Sequence, residues 1–169
     1  SFDAYFATPK HGIIRKLPTR WRTDTINTPR RTSIENISVD SKFVTEKDLG
    51  NQELDIRIGD SEKTVRRLQH YEIGYTYRID KENESSFDEF YYNLIEEQRD
   101  VSNITFTIRL PKEFDISRIG FSSGIAGSTN NNVIYYVDGN TIHGFYDGIL
   151  SYGSITARVA LDDGYYNNP

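Results

Sequence analysis

Side chains able to do acid–base or metal chemistry are present in the sequence, but they form no recognised motif. The histidines His11, His70 and His143 are far apart and lack the spacing of metal ligands. Cysteine is absent, which excludes a thiol nucleophile, a disulfide framework and a cysteine-ligated zinc site. Metalloprotease, phosphate-loop and serine-elbow motifs are also missing. We therefore expect no catalytic residue, no metal and no cofactor.

Carboxylates between residues 80 and 89 are the closest approach to a cation site. Their spacing does not match a calcium-binding loop and a central glycine is missing, so the segment is expected to be a solvated acidic loop. Glu89 and Glu96 have the residue types of a glycosidase acid and base, but nothing in the sequence sets the distance between them. A hydrolase that uses surface carboxylates is therefore less favoured than the two binding functions considered below.

Aromatic side chains on polar segments suggest a different function, carbohydrate or cell-wall binding. Trp21 lies between two arginines in a basic segment: residues 1–31 have a net charge of +5, which leaves −10 for the rest of a chain whose net charge is −5. Tyr165 and Tyr166 lie near the end of the sequence. Such aromatics either stack on a ligand or pack against the core. The acidic remainder of the chain argues against a nucleic-acid partner.

The elements that position these residues read as short strands. Residues 54–58 alternate apolar and charged, and residues 71–79 place five apolar side chains on one face. Asp138-Gly139 between two apolar runs predicts a hairpin with a type I′ turn. Similar runs recur between turn signals along the chain. The pattern predicts an all-β antiparallel sandwich, immunoglobulin-like or related, with about nine to eleven strands in a single domain over residues 1–169.

Three segments depart from regular alternation. Residues 19–32 and 42–50 are polar and rich in turn-forming residues, so they are expected to be connections. Residues 87–97 are ambiguous between a strand and a short helix, the one helix that we allow, because their apolar residues also fit a helical spacing: Phe87, Phe90, Tyr91, Leu94 and Ile95.

Four segments, taken in order, carry a family resemblance. They are residues 11–18 (HGIIRKLP), residues 54–60 (LDIRIGD) followed by 70–77 (HYEIGYTY), residues 88–94 (DEFYYNL), and residues 101–111 (VSNITFTIRLP). Together they resemble DUF2207, a domain-of-unknown-function family that forms the N-terminal part of predicted bacterial membrane proteins of the YciQ-like type. Tyr92 stands where the family usually has tryptophan.

The resemblance implies a location rather than a reaction. It implies a signal peptide and one or two further strands before Phe2, a transmembrane helix after the domain, and a position on the extracytoplasmic face of a bacterial membrane. It implies no enzyme activity, so we expect a non-catalytic interaction or sensing module whose partner is an unknown protein or cell-envelope component.

The recurring polar residues of the family admit two roles. Arg15, Glu89 and Asn93 lie beside apolar runs, where they either form a buried, hydrogen-bonded ion pair or line a shallow site. These three residues, with Trp21 and Tyr92, are the candidate binding residues.

Overall fold

The structure, a computed structural model, describes residues 1–21, 30–79, 88–124, 132–162 and 165. The all-β prediction is confirmed: within the described residues the chain forms antiparallel ladders, and its helical content is one 3-10 turn, Ile116–Arg118. The strands are β1 (Phe2–Lys10), β2 (Gly12–Pro18), β3 (Arg20–Trp21), β4 (Arg30–Val39), β5 (Phe43–Asp48), β6 (Glu53–Gly59), β7 (Val65–Tyr71), β8 (Ile73–Ile79), β9 (Asp88–Glu96), β10 (Asp100–Ser102), β11 (Thr105–Arg109), β12 (Ile119–Gly124), β13 (Val133–Asp138), β14 (Thr141–Tyr146), β15 (Leu150–Ser151) and β16 (Ser154–Leu161).

The chain divides into two compact units. Unit 1 comprises residues 1–4 and 83–169, and unit 2 comprises residues 5–82, so that β1 contributes its first residues to one unit and the rest to the other. The expectation of a single domain over the whole chain stays a prediction, and each unit is described by itself.

Unit 1 contains a sandwich of two three-stranded sheets. One sheet has the order β11-β14-β13 and the other the order β12-β16-β9. Buried residues of both sheets, among them alternate residues of β16, meet in one apolar cluster, which is the result expected when strands of period two bury one face. Members of the cluster are Ile108, Leu110, Ile142, Ala157, Val159, Leu161 and Tyr165. Burial of this apolar surface stabilises the pairing of the two sheets.

Unit 2 brings two of the family-like segments together as neighbouring strands. In the sheet of order β2-β6-β5, the register runs from Gly12 opposite Gly59 to Pro18 opposite Glu53. Ile13 and Leu17 on β2 are buried, as are alternate apolar residues of β6. A second sheet of the same unit has the order β3-β4-β8.

The ambiguous segment near residues 87–97 is a strand, so the helical alternative is wrong for the described residues 88–96. A bulge explains the misleading spacing. Ile95 lies opposite Ile155 and Asn93 lies opposite Thr156, which leaves Leu94 as an extra residue in β9. The extra residue shifts the apolar positions after Tyr92 by one and so imitates the three- and four-residue spacing of a helix.

Other boundaries also differ from the sequence expectation. Residues 43–48 form strand β5 rather than a connection, and β3 and β4 begin and end the segment predicted as a loop. Two predicted strands are interrupted, one at Glu72 and one at Asn103, where the backbone φ is 50°. These interruptions and the short strands raise the number of strands in the described residues to sixteen.

The predicted hairpin is present, but its turn is of another type. Asp138 pairs with Thr141, so Gly139 and Asn140 occupy the turn, and Gly139 has a φ of 62° while Asn140 lies outside the positive-φ region. Glycine first with one positive φ is typical of a type II′ turn. Two hydrogen bonds hold this conformation. The Leu110 backbone amide donates to the Asn140 carbonyl, and the Asn140 side-chain amide donates to the Leu110 carbonyl.

Candidate functional site

The sheet β11-β14-β13 of unit 1 turns one face to the core, and nine residues lie on its opposite face, of which Thr141 is buried. We call this opposite face the aromatic face. The ladder registers arrange it as three rows across the strands: Arg109, Thr141 and Asp138; Thr107, His143 and Tyr136; Thr105, Phe145 and Ile134.

Large apolar side chains of the aromatic face are exposed. Tyr136 is 66% exposed, Ile134 is 55% exposed and Phe145 is 41% exposed. On the core side of the same hairpin, Ile142 is completely buried. The hairpin is therefore apolar on both faces, and only one of them is buried by the sandwich.

Tyr136 is held in place by a stack. Its ring lies 4.9 Å from that of His143, measured between centroids, with 19° between the ring planes. The Nδ1 atom of His143 lies 3.5 Å from the Thr107 hydroxyl on the neighbouring strand. Thr107, His143 and Tyr136 are therefore in contact in one row across the three strands, and most of the Tyr136 side chain is exposed to solvent.

The remaining aromatic-face residues are polar groups at the border of this apolar surface. Thr105, Thr107 and Arg109 form an exposed polar column on β11, and Asp138 lies at the end of β13. The Thr105 hydroxyl shares a hydrogen bond of 2.9 Å with that of Ser1. Hydroxyl, guanidinium and carboxylate groups beside exposed rings are suited to binding a ligand with both apolar and hydroxyl-bearing surfaces.

Arg15 and Trp21 lie in unit 2. Arg15 is on β2, where its guanidinium donates to the Lys16 carbonyl at 3.5 Å. The charge of Arg15 also acts on Tyr77 of β8. Burial raises the pKa of Tyr77 to about 12, while the hydrogen bond with Thr32 and the charge of Arg15 each lower this pKa by a smaller amount. Arg15 is therefore close to the half-buried phenol of Tyr77. Trp21 is placed on β3 by its backbone, and its side chain lies outside the described part of the structure.

Glu89, Tyr92 and Asn93 share strand β9 in unit 1. Tyr92 is buried, whereas Asn93 is exposed and its Oδ1 accepts a hydrogen bond of 2.7 Å from the Thr156 hydroxyl. The backbone of Glu89 is described as part of β9, but its side chain is not, so its suggested pairing with Arg15 stays a prediction. The structure thus places Tyr92 in the core and Asn93 on the ladder with β16.

Tyr165 is part of the core and is not displayed to a ligand. Its hydroxyl accepts a hydrogen bond of 2.9 Å from the Lys112 backbone amide and donates to the Lys112 carbonyl. The Lys112 ammonium lies 5.0 Å above the ring. Tyr165 therefore fastens the end of the described chain to the segment after β11, while Tyr166 lies outside the described residues.

Carboxylates with shifted pKa values have a structural explanation. Asp48 and Asp60 accept hydrogen bonds from the backbone amides of Asn51 and Glu62, and these bonds lower the pKa of each carboxyl. Ser117 donates to Asp115 from its hydroxyl and from its backbone amide, and these two hydrogen bonds, chiefly that of the hydroxyl, lower the pKa of the Asp115 carboxyl. All three carboxylates stabilise turns. No group of three or more potential metal ligands was found among the described residues.

The aromatic face was not predicted from the sequence, although the hairpin turn that sets its register was recognised. The hairpin was recognised, and a two-residue turn sets the register of its strands. That register places Tyr136 beside His143 and Ile134 beside Phe145. The continuous apolar run of β13 did not reveal which of its faces is buried.

The chain belongs to the family described as the N-terminal domain of predicted membrane proteins, DUF2207, whose model matches residues 1–150. The resemblance inferred from the four segments is therefore confirmed. No curated protein and no solved structure matches the chain. In the described residues, no helix is long and apolar enough to span a membrane.

Proposed function

We propose that this domain is a non-catalytic binding or sensing module on the extracytoplasmic side of a bacterial membrane. Its partner is an unknown protein or cell-envelope component, and the protein that carries it is anchored by a segment outside this sequence. Membership of a family of predicted membrane proteins supports the membrane association. The extracytoplasmic location and the binding role are our inference.

The exposed aromatic face is the single observation that carries the binding role. Ile134, Tyr136 and Phe145 are of the residue types that normally fill cores, and all three remain in contact with water. Exposed apolar side chains that adjoin one another and are rimmed by polar residues are typical of interaction sites.

The location can be tested with a cysteine introduced at Leu49, which is 85% exposed. The domain itself contains no cysteine, so a Leu49→Cys variant of the whole membrane protein adds one thiol to this part. We expect a membrane-impermeant maleimide to label the variant in intact cells, with the unsubstituted protein as background. Labelling only after the membrane is permeabilised would contradict an extracytoplasmic position.

Occupation of the aromatic face can be tested by photocrosslinking in the same cells. We expect benzoylphenylalanine at position 136 to form adducts, whereas the same residue at position 152 serves as the control because Tyr152 is exposed to nearly the same extent, 67%. Equal adduct formation at both positions, or none at position 136, would show that this face is not a binding surface.

A further inference from the structure

We propose that the aromatic face binds an uncharged glycan, with one pyranose ring packed on Tyr136 and a neighbouring sugar unit directed towards Thr107 and Arg109. The inference rests on the proposed function and names the chemical class of the ligand.

The ring of Tyr136 is prepared for stacking before any ligand arrives. His143 supports it from the neighbouring strand at a centroid distance of 4.9 Å, and β13 lies at the edge of the three-stranded sheet. The supported ring has lost part of its rotational freedom in the free protein, so binding orders it less. The carbon–hydrogen face of a pyranose is apolar and matches an exposed aromatic ring, while its hydroxyls point sideways.

Polar groups lie where those hydroxyls would be. Asp138 is two residues from Tyr136 on the same face of β13, and its carboxylate can accept hydrogen bonds from a sugar stacked on the ring. Thr107 and Arg109 lie two strands away, about 10 Å from β13 at the usual spacing of strands, a span that a disaccharide bridges. The arrangement therefore favours at least two linked sugar units.

The size of the aromatic face argues against a protein partner. Measured between strand axes, three strands and five residues along each strand span roughly 10 Å by 14 Å. A stable protein–protein interface involves about 20–30 residues on each partner, whereas this face has nine. A few linked sugar units match the available surface.

The charge of the aromatic face argues for an uncharged ligand. Arg109 and Asp138 contribute one charge of each sign, and the two lie in the same row across the sheet. A phosphate-rich ligand such as a nucleic acid or an anionic membrane surface needs several unopposed cations. The face offers one, and a carboxylate in the same row opposes it.

Titration of the ¹⁵N-labelled 169-residue chain with chitohexaose and with cellohexaose tests the proposal. We expect at least one of these neutral oligosaccharides to shift amide signals of residues 105–109, 134–138 and 141–145, with a Kd of about 1 mM. Tyr136→Ala should weaken binding at least tenfold, which corresponds to about 1.4 kcal/mol, and Tyr136→Phe should retain it. Tyr152→Ala, a change at a tyrosine of equal exposure, should bind like the unsubstituted chain.

Three results would overturn the glycan assignment: no saturable shift with either sugar, shifts confined to other surfaces, or unchanged affinity in Tyr136→Ala. The proposed function fails separately, since it is measured by labelling and crosslinking of the whole protein in cells. A protein adduct at position 136 without any sugar-induced shift would reject the glycan and keep the binding module.

Discussion

At the scale of single residues, Gly12 and Gly59 show why two family-like segments contain glycine. The two glycines are direct partners across β2 and β6, with φ values of 142° and 134°. A methyl group on Gly12 would overlap the carbonyl oxygen of Ile58, and one on Gly59 would overlap that of His11. The backbones approach so closely that only hydrogen fits at both positions.

We expect Gly12→Ala to lower the free energy of unfolding by about 2–4 kcal/mol, because the substitution adds both backbone strain and a clash with main-chain atoms. Urea denaturation followed by circular dichroism measures the change. Gly74→Ala is the matched control in the same unit, since the space beside Gly74 is open. If both variants lose the same stability, the close approach of β2 and β6 is not the cause.

Tyr77 is the residue whose ionisation should be visible in the stability of the protein. Its hydroxyl donates to the Pro18 carbonyl at 2.6 Å, and burial raises its pKa to about 12. In the unfolded chain a tyrosine ionises near pH 10. The folded state therefore favours the neutral phenol. This contribution is complete below about pH 10 and is lost as the pH rises through 12.

We expect Tyr77→Phe to flatten the alkaline decline in stability between about pH 10 and 12, by about 2 kcal/mol over that window. At neutral pH the variant should be less stable by about 1 kcal/mol, because the hydrogen bond to Pro18 is lost. Urea midpoints at a series of pH values measure both effects. If the pH profile of Tyr77→Phe is identical to that of the unsubstituted chain, the assignment to Tyr77 is wrong.

At the scale of elements, the hairpin β13–β14 has one structural face and one exposed face. Ile142 is completely buried in the cluster between the two sheets of unit 1, while Ile134 is 55% exposed on the aromatic face. The two isoleucines belong to the same hairpin, and they differ in which side of the sheet they occupy. Their substitution separates the contribution of the core from that of the binding face.

Ile142→Ala should destabilise the chain by about 2–5 kcal/mol, because it removes buried methyl groups and leaves a cavity. Ile134→Ala should change stability by no more than about 0.5 kcal/mol. Urea or thermal unfolding of the two variants measures both changes in the free energy of unfolding. A large loss in Ile134→Ala would mean that the aromatic face is covered within the folded protein and is not free for a ligand.

At the scale of the whole molecule, the open question is whether the two compact units unfold as one. The sequence predicts a single domain over residues 1–169, and the contacts divide the chain between unit 1 and unit 2. Gly12 belongs to unit 2 and Ile142 to unit 1. The two destabilising substitutions therefore report on different parts of the chain.

If the single-domain prediction holds, Gly12→Ala and Ile142→Ala should each shift one common unfolding transition, since a cooperative domain loses both cores together. Tyrosine fluorescence and circular dichroism should then give coincident curves for each variant. Two separate transitions, each shifted by only one substitution, would instead establish two independently folding domains.

The sequence alone determined the class of fold and the family. Alternation of apolar and polar residues is a local property with a period of two, so β6, β11 and β16 were recognisable without any knowledge of their partners. Turn residues such as Asp138-Gly139 act over a few positions and predicted the hairpin. The family resemblance was carried by the order of four segments: 11–18, 54–60 followed by 70–77, 88–94, and 101–111.

Tertiary structure decided where strands break, which faces are buried and which residues adjoin. The bulge at Leu94 depends on the pairing of β9 with β16, and strand β5 exists because it completes a ladder with β6. Tyr165 lies in a polar segment of the sequence and Tyr136 in an apolar run, yet Tyr165 is buried in the core and Tyr136 is exposed. The physical reason is that burial depends on contacts between residues distant in the chain, which local alternation does not encode.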